Sequence, residues 1–454
     1  MRVTRIDILG LFDRFDHSIP LNMEERVTLI HGPNGIGKTT VLKLVFSLFH
    51  QNFAYLQRTN YGRLELKFDQ NTVLRVTRQK FKRSTDVSRS KRPDPPDLHF
   101  ALYKGPTKQR EFTLTSASTS DFRRRLPLEL LDEYVDEIER IGHDEWLDHD
   151  TGETLSLREV LDRYGARLPI PSEWKSPAPP DWLTDICGSL DVHLIETQRL
   201  FAASDHSKRP PRTRPMRLPS AVDMYAGELA KTIQRDLAQS AAISQSLDRS
   251  FPSRLMRTAP PEKATEEHIR SRYKSENQLR QRLMEAGLLD TEEEIALPER
   301  SLDNTERRVL WFYLEDVERK LNVFDERLER IELFKQIINT SFLYKRLSID
   351  KDSGFVFTTD QGETVTPNSL SSGEQHELVL AYQLLFKVKP RSLILIDEPE
   401  ISLHVTWQHK FLPDIMQISE VAELDFILAT HSPQIIHKRW DLAVPLEDLE
   451  SSDK

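Results

Sequence analysis

At 454 residues, 30 % of them charged and 38 % hydrophobic, the chain can hold two or three domains and a sizeable core. A formal net charge of −9 excludes generic nucleic-acid binding by bulk charge and leaves only local basic patches for that role. The single cysteine, Cys187, excludes an internal disulfide and a thiolate metal cluster and fits a reducing cytosol. The opening MRVTRIDILG lacks a signal-peptide core, and no run approaches the roughly 18 apolar residues of a membrane span. A cytoplasmic protein without membrane contact is the expectation.

Residues 1–9 read as a strand with residues 17–21 as its candidate partner, and residues 27–30 form a short apolar, β-branched run, the pattern of a buried strand. Gly32-Pro33-Asn34-Gly35-Ile36-Gly37-Lys38-Thr39 then fits G-x-x-x-x-G-K-[ST]. Residues 39–50 follow with helical spacing through Val41, Leu42, Val45, Phe46 and Leu48. Strand, glycine loop and helix stand in the order that a phosphate cradle requires. Gly32, Gly35 and Gly37 let the backbone turn its N–H groups onto an anion, and the new helix aims its positive end at the same place. Lys38 is the residue to reach the β- and γ-phosphates, and the Thr39 hydroxyl is the candidate Mg²⁺ ligand.

Residues 62–68 and 72–77 read as an antiparallel hairpin around Asp69-Gln70-Asn71. Residues 80–97 are basic and then proline-bearing, either a solvated loop or a contact for phosphate backbone or partner. Residues 98–114 return to strand-like spacing, 120–141 read as a charged helix, and 169–180 as a proline-rich connector; no motif is legible between 100 and 190. A strand over 192–200 ends in Gln198-Arg199, a basic proline-rich loop covers 204–219, and 221–247 is helical.

Residues 266–286 and 305–339 are expected to form a short antiparallel helical hairpin turned by 287–302. In its second helix Leu310, Leu314, Val317, Leu321, Phe324, Leu328 and Ile331 alternate steps of four and three, a heptad seam. Residues 347–357 are strand-like, Gly373 opens a helix, 392–396 is a strand, 407–415 is helical, and 426–429 is the last strand expected.

Three further blocks carry chemistry. Leu393-Ile394-Leu395-Ile396-Asp397-Glu398-Pro399-Glu400 is an apolar strand ending in carboxylates, at the strand end where an α/β sheet places ligands. Asp397 can hold Mg²⁺, and Glu398 can polarise an attacking water as general base. Leu370-Ser371-Ser372-Gly373-Glu374-Gln375 offers capping serines and free N–H groups at a helix start. His431, in Leu428-Ala429-Thr430-His431-Ser432-Pro433, ends a strand where it can meet a γ-phosphate or the catalytic water.

As a set, these blocks resemble the ABC-type ATPases in their SMC-like and OLD-like branch. The resemblance implies an α/β fold: an ABC-type head, a mixed sheet with a P-loop, assembled from N- and C-terminal segments around a central helical, short coiled-coil insertion. Residues 1–200 would be the N-terminal lobe with an inserted region at about 100–190, residues 201–340 the insertion, and 341–454 the C-terminal lobe. Gly32 to Thr39 matches Walker A, with Asn34 and Thr40 as further nucleotide contacts, and Leu393 to Glu398 matches Walker B. Gln198 looks like the Q-loop glutamine near the metal, Ser402-Leu403-His404 falls at the D-loop, and His431 matches the switch histidine. Ser371, Ser372, Gly373 and Glu374 fall in the signature motif, with Ser372 where transporters usually have Gly. In the family two heads dimerise head-to-tail around two ATP molecules with Mg²⁺. Lys38, Thr39, Asp397, Glu398 and His431 of one then face Ser371 and Gly373 of the other, and hydrolysis releases the pair.

The insertion is tens of residues, shorter than an SMC coiled coil, and 23 residues follow His431, too few for the TOPRIM domain of OLD nucleases. The chain therefore looks similar to the stand-alone ATPases of anti-phage systems, the AriA type of PARIS and the PtuA type of Septu. Those are paired with a separate nuclease-type, TOPRIM-like effector, and a phage trigger protein is a further expected partner. The competing expectations are a DNA-repair or DNA-clamping ATPase that binds DNA directly, and a transporter's ATPase subunit.

Overall fold

The first stretch of chain is rich in strands, as the sequence pattern requires. Its elements are β1 (Val3–Leu11), β2 (Phe15–Pro20), β3 (Val27–His31), α1 (Lys38–Phe49), α2 (Phe53–Arg58), β4 (Arg63–Phe68), β5 (Thr72–Arg78), β6 (Leu98–Lys104) and β7 (Thr107–Leu114). There follow β8 (Ile138–Arg140), β9 (Glu145–Asp148), β10 (Thr154–Ser156), α3 (Asp181–Gly188) and β11 (Val192–Glu196). A helical stretch comes next: α4 (Ala221–Arg257), α5 (Glu266–Ala286), α6 (Asn304–Leu321) and α7 (Asp325–Ser341), then β12 (Lys345–Asp350), β13 (Gly354–Thr359), β14 (Thr364–Val365) and α8 (Ser372–Tyr382). The chain ends with β15 (Leu393–Asp397), α9 (Val405–Ala422), β16 (Asp425–Thr430), α10 (Pro433–Ile436) and β17 (Ala443–Pro445). This computed structural model describes residues 1–79, 96–115, 131, 135, 137–142, 145–148, 154–156, 160, 164, 178–196, 221–257, 264–290, 296–366, 369–401 and 405–446.

Two units are present, one of Met1–Arg214 with Lys389–Lys454 and one of Pro215–Val388. The first is an α/β head drawn from both ends of the chain. Its parallel sheet has the order β11-β15-β16-β3-β17, and an antiparallel sheet has the order β2-β1-β4-β5-β6-β7. The two sheets have different residue patterns because they are covered differently. In β3 and β15 the residues Val27, Leu29, Ile30 and Leu393 through Ile396 are essentially unexposed, so β15 reads as an unbroken apolar run and β3 as one interrupted only by the buried Thr28. In β4, Leu64, Leu66 and Phe68 point into the core while Arg63, Glu65 and Lys67 alternate outward. Helix α1 packs on β11, β15 and β16 through Val41, Leu44, Val45 and Leu48, all fully buried. Each such side chain contributes about 1.5–3 kcal/mol.

Cys187, on α3, donates from Sγ to Leu48 O at 3.3 Å in that same core. Burial pushes its thiol up to about 12. Its alkylation at pH 8 should therefore be about a thousandfold slower in the native chain than in urea. Rapid native labelling, followed by mass spectrometry, would contradict this packing.

In the second unit α6 packs on both α4 and α5, α5 packs on α7, and α8 packs on α4 and α7. Leu314, Val317, Leu321, Phe324, Leu328 and Ile331 of the heptad seam are buried, and Leu310 is partly so. The seam is thus closed by α4 as well as by the expected hairpin partner. Tyr382 anchors this core, with ring centroids 4.7 Å from Tyr225 and 5.0 Å from Phe386. Among the charged pairs, Arg254 meets Asp316 at 2.6 Å and Arg327 meets Asp236 at 2.8 Å.

Several expectations are corrected. The single helix over 305–339 is two, separated by a 3₁₀ turn at Asn322–Phe324. The strand over 347–357 is the hairpin β12–β13, turned at Lys351–Ser353, where Asp350 Oδ1 accepts from the backbone N–H groups of Asp352 and Ser353. The helix over 221–247 continues to Arg257. The end of the helix expected over 120–141 is the strand β8, and the rest of it lies almost wholly outside the described residues. A strand follows 426–429, since β17 pairs parallel to β3. Residues 341–388, assigned by sequence to the C-terminal lobe, belong to the second unit, because β12 packs on α7 and β13 on α4. The basic stretches at 80–92 and 204–219 lie outside the described residues.

Candidate functional site

The parallel sheet delivers three strand ends to one place. Strand β16 lies between β3, which runs into the glycine loop, and β15, which ends at Asp397. The loop starts at Gly32, where a Cβ would sit 2.6 Å from Leu446 O, just beyond β17. At Gly37, the N-cap of α1, φ is 99°, and a Cβ would meet Leu11 Cδ2 at 2.5 Å. Only glycine tolerates either position. No side chain caps α1 and no acidic residue occupies its first turn, which leaves its N–H groups to an anion. His17, buried on β2, bonds Ile36 O through Nε2 at 2.9 Å and braces the loop from behind.

Lys38 is 4 % exposed, and its ammonium donates to Gly32 O at 2.8 Å and Pro33 O at 3.1 Å. Burial lowers its pKa from the ordinary value, while the charges of Glu398, Asp397 and Glu400 act in the opposite sense. Three carboxylates thus face one ammonium, an excess of negative charge suited to a divalent cation. Lys38 Nζ also lies 3.2 Å from His431 Nδ1. An ammonium only donates, so Nδ1 accepts and the imidazole proton sits on Nε2, 3.5 Å from Glu398 Oε1. Lys38, His431 and Glu398 form a chain.

Thr39 Oγ1 donates to Asp397 Oδ1 at 3.1 Å. Hydroxyl and carboxylate are the hard oxygen pair that Mg²⁺ takes from a protein when phosphates complete its shell, so these residues fit the ion. Among the described residues no group of three or more His, Cys, Asp or Glu side chains converges as an all-protein metal cage. Glu398 itself has φ of 46°, unusual for a residue with a side chain, and its N–H donates to Ala429 O at 2.9 Å.

The structure brings Gly32, Asn34, Gly35, Gly37, Lys38, Thr39 and Thr40 together in the loop and the first turn of α1, facing Asp397, Glu398 and His431. Ser371, Ser372, Gly373 and Glu374 open α8 in the second unit. There Ser371 and Glu374 form a capping box, with Ser371 N to Glu374 Oε2 at 2.7 Å and Glu374 N to Ser371 Oγ at 3.3 Å. Gln198 and Ser402 to His404 lie outside the described residues.

Sequence reasoning missed Glu400. Its carboxylate accepts from His431 N at 2.7 Å and from Thr430 Oγ1 at 2.9 Å, so it pins the Thr430–His431 segment to the end of β15. The only signal was a third carboxylate in the same block. Glu400→Ala should reduce ATP turnover at least about tenfold, with the Kd for ATP within about threefold, measured by phosphate release and by titration. An equal loss in both would place Glu400 in nucleotide binding.

Comparison with known proteins finds many solved structures of similar chains, three of which follow. The Smc head domain with an extended coiled coil, bound to the C-terminal domain of ScpA, from Pyrococcus furiosus is 14 % identical, with 98 % of this chain and 94 % of that one covered and a TM-score of 0.34. The SMC head domain from Thermotoga maritima is 11 % identical over 98 % and 92 %, with a TM-score of 0.32. An SmcHead bound to the C-winged helix domain of ScpA is 12 % identical over 99 % and 95 %, with a TM-score of 0.33. No curated protein matches the chain. A family profile described as "AAA domain, putative AbiEii toxin, Type IV TA system" matches residues 27–437, from β3 through the segment that follows His431. With most of its length matched, and with the phosphate loop and acidic strand both inside the match, the chain belongs to this family of AAA domains.

Proposed function

We propose that the chain binds ATP with Mg²⁺ and hydrolyses it to ADP and phosphate, and that two copies close head-to-tail around the nucleotide. The observation that carries this reading is the linked set Lys38–His431–Glu398 beside Thr39–Asp397, built at the carboxyl ends of adjacent parallel strands. Lys38 and the N–H groups of the loop hold the phosphates. Thr39 and Asp397 would hold Mg²⁺, which supplies charge neutralisation at the phosphates when bound. Glu398 takes a proton from the attacking water, and His431 orients that water and the γ-phosphate. Ser371 and Gly373 complete the site from the second copy. Turnover per head should therefore rise with protein concentration across the dimerisation range; turnover per head independent of concentration, with the chain monomeric throughout, would sink the shared-site reading.

At the level of the cell, we infer a sensor or scaffold ATPase of an anti-phage system that controls a separate nuclease-type effector. The family description, which names a toxin–antitoxin system, supports this, as does the resemblance of the motif set to stand-alone defence ATPases. No helix among the described residues is long and apolar enough to cross a membrane. The test is a pull-down of the Glu398→Gln protein from cells carrying its neighbouring genes. A stoichiometric second polypeptide supports the inference. A homodimer alone that retains DNA when nuclease is omitted would replace it with a DNA-clamping role.

A further inference from the structure

At the start of α8 a carboxylate stands where the shared-site reading requires an anion to bind. Glu374 is 8 % exposed, and its Oε2 accepts from Ser371 N at 2.7 Å and from Ser371 Oγ at 2.8 Å. Burial pulls this carboxyl up, yet Lys345 and Ser371 outweigh it and leave Glu374 below the usual carboxylate range. Lys345, the first residue of β12, reaches both oxygens, at 2.9 and 2.8 Å. Nothing in the sequence links Lys345 to the motif, since 29 positions separate the pair.

We propose that Lys345 is a positioning residue for the signature half-site: it neutralises Glu374 so that Ser371 and the first turn of α8 can receive the γ-phosphate of an ATP held by a second copy. This role rests on the head-dimer reading given above. The Ser371 hydroxyl has one proton, which it now gives to Glu374. Turning that proton to a phosphate removes one donor from the carboxylate at the moment a second anion arrives. Without Lys345, two anions would be opposed in a half-buried site, where like charges repel far more than in water. With Lys345, the carboxylate keeps its cation and the Ser371 N–H, and the capping geometry survives the exchange.

A purely structural salt bridge and a neutralising one differ in symmetry. Either Lys345→Met or Glu374→Gln breaks the bridge, so a structural role predicts that both weaken dimerisation alike. Neutralisation predicts that only the lysine variant does, because Glu374→Gln removes the repelling charge and leaves a cation for the phosphate. The experiment is sedimentation velocity of the full chain in a Glu398→Gln background, with and without ATP, supported by melting curves without nucleotide. The expected result is an ATP-dependent dimer weakened at least about tenfold by Lys345→Met, about unchanged by Lys345→Arg, and equal to or tighter than the parent in Glu374→Gln. Parent-like dimerisation of Lys345→Met, or equal weakening in both single variants, would overturn the proposal while leaving the head dimer standing. If Lys345→Met does not fold, Glu374→Gln still decides, since weakening there contradicts neutralisation. Absence of an ATP-dependent dimer in the parent would overturn the head-dimer reading and this role together.

Discussion

Lys38→Ala is expected to abolish measurable ATP binding. The ammonium is the one cation of the loop, buried against Gly32 O and Pro33 O and faced by Asp397, Glu398 and Glu400. Removing it deletes the charge-assisted bonds that the proposed mechanism gives the phosphates, worth about 1.5–3 kcal/mol each, and takes a positive charge away from beside three carboxylates near a polyanion. A rise in Kd of at least about a hundredfold follows, measured by titration with a fluorescent ATP analogue. Circular dichroism should stay native, since α1 keeps its apolar face of Val41, Leu44, Val45 and Leu48. A Kd within threefold of the wild type would remove Lys38 from the phosphate site.

Glu398→Gln separates binding from chemistry. The side chain stays the same length and can still face His431 Nε2, so the ground-state site is kept. What is lost is the basic oxygen to which the proposed mechanism assigns the proton of the attacking water. Single-turnover hydrolysis should fall about 10²- to 10⁴-fold while the Kd for ATP moves less than about threefold. The backbone adds a second signature. Glu398 holds φ of 46° with its N–H bonded to Ala429 O, a backbone bond that the substitution leaves in place, so the conformation should persist. Normal hydrolysis by Glu398→Gln would transfer the general-base role elsewhere, with His431 as the next group to test.

The parts of the site carried by contiguous residues were legible in the sequence. The glycine loop needs backbone freedom, an ammonium and a hydroxyl at fixed offsets, so Gly32, Gly37, Lys38 and Thr39 announce themselves. The strand ending in Asp397 and Glu398 is equally local, because burial on both faces demands an unbroken apolar run. What sequence could not carry is contact between distant positions. Lys345 meets Glu374, His17 meets Ile36, and β17 pairs with β3 through three residues ending in a proline.

Two misreadings of regular structure have physical causes. The heptad pattern runs unbroken through Leu321, Phe324 and Leu328, all buried, so the 3₁₀ turn between α6 and α7 leaves no gap in it. The β12–β13 turn did have a signal. Asp350 to Gly354 reads D-K-D-S-G, in which Asp350 caps two N–H groups and Gly354 takes φ of 78° with Ala226 O pressed where a Cβ would be. Alternating apolar residues on both sides of that turn outweighed it.

The most direct test of a nucleotide-sandwiched head pair is the native mass of the Glu398→Gln protein with Mg²⁺ and either ATP or ADP. The chain weighs 52.8 kDa, and the account predicts twice that mass plus two nucleotides with ATP, and the single-chain mass with ADP. A single-chain mass carrying bound ATP would contradict it.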